Sequence, residues 1–137
     1  MAIVTVQSKE NLKQEITAGK HTLIADEPID AGGTDQGPDP YSLLLAALGA
    51  CTSMTLKLYS RNKNWDLQNV TVKLTIEKIH AKDCEECQTK EGKIDRITRE
   101  IKLEGNLSDE QRARLREIAK RCPVHRTLTS EVNIVDV

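Results

Sequence analysis

Residues 39–59 read DPYSLLLAALGACTSMTLKLY and form the longest apolar run in the chain. Asp39 is a suitable N-cap, and Pro40 then takes the first helical position, where its missing N–H costs nothing. No charged residue follows before Lys57, and a helix that is apolar all round has to be buried all round or span a membrane. The uncharged stretch is shorter than the about 20 residues that a bilayer requires. We therefore expect a buried central helix.

The length and charge of the chain indicate a single domain, residues 1–137, with room for a core of its own. The net charge is −1 and the two signs are well mixed, so no basic surface points to nucleic acid. The N-terminal segment MAIVTVQSKE lacks the apolar stretch of a signal peptide, which predicts a soluble cytoplasmic protein that does not bind a membrane. In a reducing compartment, four cysteines indicate reactivity, metal binding or burial rather than a disulfide framework.

The remaining sequence predicts an α+β layout with largely antiparallel pairing. Short apolar stretches and strict alternation predict strands at residues 3–7, 12–17, 21–25, 70–76, 97–103 and 132–134. A Gly-, Pro- and Asp-rich loop, residues 26–40, leads into the central helix, which we expect to end near Asn62. Residues 81–93 are polar and predict a hairpin connection. The apolar phase slips at Glu77 and Lys78, which predicts a bulge there.

A second helix is indicated by the capping box of Ser108 and Gln111. Its apolar stripe, Leu115, Ile118, Ala119 and Cys122, follows helical spacing, and Pro123 is expected to end the helix. The first helix is more apolar than one small sheet can cover. We infer a homodimer whose subunits share the core.

The two isolated cysteines, Cys51 and Cys122, each fall on an apolar face of one of these two helices. Either one, taken alone, fits a small buried hydrophobic residue. Packed on one sheet, the helices can bring both sulfurs together. A thiolate then attacks an electrophile to give a sulfenic acid, and the second thiol closes a disulfide.

A family resemblance favours this chemistry. The segment GPDPYSLLLAALGACTSMT, residues 37–55, followed by RCPVHRTL, residues 121–128, resembles the OsmC/Ohr family of osmotically inducible protein C and organic hydroperoxide resistance proteins. An OsmC-like subgroup is also similar in the segment HAKDCEECQTKEGKIDR. The resemblance implies an intertwined homodimer with antiparallel sheets packed around a buried central helix. It implies reduction of small organic hydroperoxides without a cofactor, with Cys51 peroxidatic and Cys122 resolving. A dithiol donor, lipoylated in the organic hydroperoxide branch, would close the cycle.

The sequence departs from that pattern at the groups that activate the first cysteine. Tyr41 stands where the peroxidase branch has a Glu, ten residues before Cys51, and no Arg precedes Arg61, although the family's activating Arg comes from the N-terminal region. Tyr41 is expected to pack at the site or to donate a hydrogen bond. The candidate replacements for the cation are Arg126, His125, Lys20 and His21, each of which also fits an ordinary surface residue.

The segment His80-x3-Cys84-x2-Cys87 has three interpretations. It offers three zinc ligands, with Glu85, Glu86, Glu91 or a partner subunit completing the site. It has the spacing of a redox dithiol, although two glutamates between the sulfurs would raise the thiol pKa values. It also fits an exposed hairpin without chemistry.

Three functions therefore stay open. The first is a thiol-dependent hydroperoxide reductase of oxidative-stress defence that uses Cys51 and Cys122. The second is a non-enzymatic relative that binds ligands or senses redox state, and the third is a zinc-stabilised structural dimer.

Overall fold

The α+β prediction is confirmed by the structure, a computed structural model that describes residues 1–137. Its elements are two antiparallel sheets, three α-helices and short 3-10 turns. The chain forms two compact units, Met1–Ala46 and Ala47–Val137. The prediction of a single domain stays a prediction.

The N-terminal unit contains a three-stranded antiparallel meander of β1 (Val4–Ser8), β2 (Gln14–Ala18) and β3 (His21–Ala25). The second strand begins two residues later than predicted. Asn11, with a φ of 53°, stands in a turn that is closed by the hydrogen bond from the Lys9 N–H to the Lys13 carbonyl, at 2.8 Å.

The loop after β3 is organised around one buried carboxylate, that of Asp26. It accepts hydrogen bonds from the Thr34 hydroxyl at 2.7 Å and from the backbone N–H groups of Glu27 at 2.8 Å and Gln36 at 3.2 Å. These bonds, with the Thr34 hydroxyl first among them, hold the pKa of Asp26 below its ordinary value against the opposing effect of burial.

The central helix, α1 (Pro40–Lys63), is confirmed, but its complete burial is not. Asp39 caps it by accepting hydrogen bonds from the N–H and hydroxyl of Ser42. In the C-terminal unit only one face is buried, formed by Leu48, Gly49, Thr52, Leu56 and Ser60. Met54 is 71% exposed and Leu58 is 49% exposed on the other side. By length and composition alone α1 is able to cross a membrane, a test that core helices also pass.

A long β-hairpin supports the buried face of α1. It consists of β4 (Asp66–His80) and β5 (Lys93–Asn106), joined by the connection predicted for residues 81–93. The predicted bulge at Glu77 and Lys78 is wrong, because the pairing runs without interruption through both residues, and the register shift lies between Leu67 and Asn69. The apolar phase slips because Ile79 pairs with Ile94 on the opposite face of the hairpin from Ile76.

The second predicted helix is present as α2 (Asp109–Ile118), with its capping box formed. The core of the C-terminal unit lies where α1, α2 and the hairpin meet, and consists of Leu56, Leu67, Leu103, Leu115, Ile118 and Ala119. Gly49 allows the close approach of α1 to the hairpin, since a Cβ at this position would lie 2.8 Å from the Leu74 side chain.

Two predictions for the C-terminal region are wrong. Cys122 does not lie in the last turn of α2, because that helix tightens into a 3-10 turn, Ala119–Arg121. Pro123 instead begins a further helix, α3 (Pro123–Leu128), with Cys122 at its N-cap. Residues 131–137 form no strand, and the side chains of Val132 and Ile134 are exposed, because no β-strand lies beside them in the single chain.

Candidate active site

The structure brings Cys51 and Cys122 together across 71 positions of sequence, close enough for each thiol to shift the pKa of the other. Both belong to the C-terminal unit. Cys51 lies in the middle of α1 and is half-buried, whereas Cys122 is completely buried between α2 and α3. Neither cysteine is in a disulfide.

The two sulfurs have different surroundings. Burial raises the pKa of Cys51, and the neighbouring Cys122 thiol raises it further. Burial is also the largest single influence on Cys122 and opposes its ionisation. The interactions with Cys51, with the backbone N–H groups of His125 and Val124, and with Thr52 together outweigh burial and lower the pKa of Cys122. The N–H of His125 lies 3.4 Å from the Cys122 sulfur.

The cation at this site is Arg99, a residue of β5 that the sequence analysis did not select. Its Nη1 donates hydrogen bonds to the hydroxyl oxygen of Thr52 at 3.0 Å and to the carbonyl of Ala119 at 3.5 Å. Burial lowers the pKa of Arg99, and a negative charge on Cys122 acts in the opposite direction. Thr52 is completely buried and donates its own proton to the Leu48 carbonyl at 2.7 Å, which fixes its oxygen for Arg99.

His125 is placed beside the pair, but in a different role from that expected of a cation. Its pKa is lowered by burial first and then by the positive charges of Arg99 and Lys120, so the ring is neutral at pH 7. Its backbone N–H, rather than its ring, is the group that contacts the Cys122 sulfur.

A cavity of about 350 Å³ lies beside Arg99 and His125. Its wall combines apolar with polar and charged side chains, and consists of Leu48, Asp95, Ile97, Arg99, His125, Leu128 and Thr129. A small organic molecule with one polar end fits such a wall.

Comparison with known proteins identifies the family of the chain. The sequence model of the OsmC-like protein family matches residues 33–135. This chain belongs to the OsmC-like family. Comparison with curated protein sequences returned no match.

Solved structures with the OsmC/Ohr fold are similar to this OsmC-like protein over almost its whole length. An OsmC-like protein from Mycoplasma pneumoniae has a TM-score of 0.72 at 19% identity, with 93% of this chain and 86% of that one covered. The organic hydroperoxide resistance protein OsmC from Legionella pneumophila has a TM-score of 0.65 at 17% identity, over 94% and 89%. The organic hydroperoxide resistance protein OhrB of Bacillus subtilis has a TM-score of 0.62 at 20% identity, over 97% and 93%. At these identities the similarity establishes the fold.

The other predicted activators of the OsmC-like chain are exposed residues. Arg126 is exposed on α3, and the guanidinium beside the cysteine pair is that of Arg99 instead. Tyr41, Lys20 and His21 belong to the N-terminal unit, where Tyr41 is the second residue of α1 and the other two lie at the β2–β3 turn; all three are exposed.

The CxxC segment forms a disulfide between Cys84 and Cys87. Sulfurs joined in this way are not thiolates, and no group of three or more His, Cys, Asp or Glu side chains in the chain is placed to hold a metal ion. His80, at the end of β4, is exposed. The residues therefore do not fit zinc in this form of the protein. The disulfide lines a second cavity that shares Asp95, Ile97 and Thr129 with the first.

Arg99 could have been found from the sequence by one signal. The apolar residues of β5 that face α1 and α2 are Ile97, Ile101 and Leu103, and Arg99 occupies the same phase between them. A charged residue at an inward position of an alternating strand indicates a buried partner of opposite charge. Thr52 gave no comparable signal, because a threonine in an apolar helix fits ordinary packing.

Proposed function

We propose that this OsmC-like protein reduces small organic hydroperoxides with Cys51 and Cys122, takes the electrons from a dithiol donor, and works in the cytoplasm in oxidative-stress defence. The observation that carries the proposal is the proximity of two free cysteines 71 residues apart, with the guanidinium of Arg99 beside them. A thiolate is the nucleophile in such chemistry, and a neighbouring cation favours it.

Exposure assigns the two sulfurs their parts in the reaction. Cys51 is half-buried and is the sulfur that a peroxide reaches, whereas Cys122 has no exposed surface. Attack by Cys51 on the terminal peroxide oxygen breaks the O–O bond and leaves a sulfenic acid and an alcohol. Cys122, already in contact, then displaces the sulfenic oxygen and closes a disulfide, which the donor reduces by thiol–disulfide exchange.

The substrate class follows from the cavity wall. Leu48, Ile97 and Leu128 offer apolar surface to an alkyl or aryl group, and Arg99 offers a hydrogen-bond donor to the peroxide end. The names of the similar structures from Legionella pneumophila and Bacillus subtilis, both organic hydroperoxide resistance proteins, favour the same class.

The test is consumption of cumene or tert-butyl hydroperoxide with dihydrolipoamide as the dithiol donor. We expect turnover by the wild-type protein and none by Cys51→Ser, while Cys122→Ser stops after one equivalent with a sulfenate or a mixed disulfide at Cys51. Cys87→Ser is the matched control and keeps its turnover. Turnover that survives in Cys51→Ser would exclude this mechanism.

We also propose that the protein is a homodimer. Met54 and Leu58 lie one helical turn apart on the exposed side of α1, and apolar surface of this kind is commonly covered by a partner. The expected mass in analytical ultracentrifugation is twice 15.3 kDa. The double variant Met54→Glu, Leu58→Glu should sediment as a monomer, and a monomeric wild-type protein would disprove the proposal.

Redox sensing without turnover is the second candidate function. It is favoured by the raised pKa of Cys51, which slows its reaction, and by the disulfide of Cys84 and Cys87 at an adjoining cavity. A sensor would form one Cys51–Cys122 disulfide per chain and would then consume no more hydroperoxide in the presence of the donor.

A further inference from the structure

The disulfide between Cys84 and Cys87 is accessible to other molecules. Both cysteines are partly exposed, and they line a cavity of about 570 Å³. The bond joins residues only three positions apart, so it restricts the unfolded chain little and adds little stability. Accessible disulfides of this kind are the ones that react readily with thiols.

The hairpin connection that carries this disulfide is held by other bonds as well. The N–H of Ala81, a completely buried residue, donates to the Gly92 carbonyl at 2.8 Å, and the N–H of Cys84 donates to the Ala81 carbonyl at 3.1 Å. The Lys90 ammonium donates to the carbonyls of Cys84 at 3.4 Å and Glu85 at 3.3 Å. None of these hydrogen bonds involves a sulfur atom. The disulfide is therefore able to open and close while the connection keeps its shape.

The wall of the cavity carries more negative than positive charge. It includes one guanidinium, that of Arg96, and four carboxylates, those of Asp83, Glu85, Glu86 and Asp95. The Asp95 carboxylate is paired with the Lys78 ammonium at 2.9 Å. Three further carboxylates therefore share the cavity with one guanidinium, and a negative molecule that enters it is repelled.

We propose that Cys84–Cys87 is a redox-active disulfide that exchanges with small thiols, and that its acidic cavity selects thiols with an ammonium group over thiols with a carboxylate. The attacking species is a thiolate, which is itself negative. An ammonium group on the same molecule offsets the repulsion by the wall, whereas a carboxylate adds to it. This second redox site is separate from Cys51 and Cys122 and does not rest on the proposed function.

The exchange balances in atoms and electrons. A thiolate RS⁻ attacks one sulfur of the disulfide, a new S–S bond forms, and the other protein sulfur leaves as a thiolate and takes up a proton. The Lys90 ammonium beside the Cys84 and Glu85 carbonyls offsets part of the negative charge around that leaving group. A second RS⁻ then displaces the first from the mixed disulfide. Two RSH and the protein disulfide thus give RSSR and two protein thiols, and two electrons pass from the small thiols to the protein.

The experiment compares three small thiols on the folded wild-type protein at equal thiolate concentrations: cysteamine, 2-mercaptoethanol and 3-mercaptopropionate. Acid quenching, alkylation and peptide mass spectrometry give the fraction of Cys84 and Cys87 that is reduced. We expect reduction without denaturant, with cysteamine about tenfold faster than 3-mercaptopropionate at low salt and 2-mercaptoethanol between them. The difference should collapse at about 1 M salt, where charges are screened beyond about 3 Å. Equal rates for the three thiols, or reduction that requires unfolding in urea, would overturn the proposal.

Charge variants test the acidic wall. In the double variant Glu85→Gln, Glu86→Gln the preference for cysteamine should shrink severalfold. The matched control is Asp109→Asn, Glu110→Gln, which removes two exposed carboxylates at the start of α2 and should keep the preference. An unchanged preference in the Glu85, Glu86 variant would refute the role of the wall. No hydroperoxide enters the experiment, so its failure and the failure of the proposed function are separate results.

Discussion

Replacing Arg99 by Met removes the one cation beside the cysteine pair and keeps a side chain of similar length. The guanidinium lies on the inward face of β5, where Arg99 pairs with Leu74 of β4, and it is held by Thr52 and Ala119. Without it, the charge of the pair would depend on backbone N–H groups and the interaction between the two thiols. The thiolate should therefore form at higher pH.

The size of the effect follows from the charge and its exposure. An opposite charge within about 4–6 Å shifts a pKa by about 1–3 units. Arg99 is only partly buried, so solvent screening places the expected shift at the lower end, about 1–2 units. One unit corresponds to about 1.4 kcal/mol and a tenfold change in thiolate fraction. Arg99→Met should therefore react about 10–100 times more slowly at pH 7.

Two measurements check this prediction in the same protein. Thiolate absorbance gives the pKa of the pair, and stopped-flow mixing with cumene hydroperoxide gives the first-turnover rate. The tenfold change in rate per pKa unit should match the measured pKa shift. The pH–rate profile of Arg99→Met should therefore move to higher pH, while the maximal rate reached at high pH stays the same. Arg99→Lys restores a charge but only part of the geometry. Its thiolate pKa and its rate should lie between those of the wild type and those of Arg99→Met.

Arg126→Met is the matched control, because the Arg126 side chain is exposed on α3. It should leave both the thiolate pKa and the rate unchanged. The reasoning is refuted if Arg99→Met, folded by circular dichroism, keeps the pKa of the pair within about 0.3 unit of the wild-type value, which is less than any close opposite charge produces.

Four further predictions concern stability and metal binding. Leu56→Ala, at a fully buried position, should lower the free energy of unfolding by about 2–5 kcal/mol in urea titrations, whereas Leu58→Ala should change the stability of the monomer by less than 1 kcal/mol. Asp26→Asn should be less stable than the wild type at neutral pH. The lowered pKa of Asp26 means that its stabilisation is present above the ordinary value of 3.8 and is lost as the pH falls through the folded-state pKa, so the two denaturation curves should converge in acid. Serine at both Cys84 and Cys87 should cost at most about 2 kcal/mol, because the closed loop is short. Elemental analysis of wild-type protein with this disulfide intact should find no stoichiometric zinc, and one zinc per chain would contradict this interpretation of the segment.

The sequence determined most of the elements. The caps at Asp39 and Ser108 are local hydrogen bonds between neighbours in the chain, and both formed as the residue types indicated. Alternation along β4 and β5 is equally local, and it placed the hairpin correctly. The end of α2 was misjudged because Pro123 is compatible with both the end of one helix and the start of the next.

The cysteine pair was predicted as a contact, but its electrostatics were not. Sequence proximity and the family pattern indicated Arg126, His125, Lys20 and His21 as candidates for the cation. The guanidinium beside the cysteines instead belongs to Arg99 on strand β5. Only the register of β5, which is set by its pairing along the whole length of β4, decides that residue 99 faces the cysteines.

The sequence by itself therefore determined the two longer helices, the meander, the hairpin and the two cysteines available for chemistry, because propensity, capping and periodicity act between residues close in the chain. The tertiary structure alone decided which sulfur is buried, which donors reach it and which cation lies beside it. These depend on contacts between α1, β5 and α3, and pKa values respond to such neighbours in space rather than in sequence.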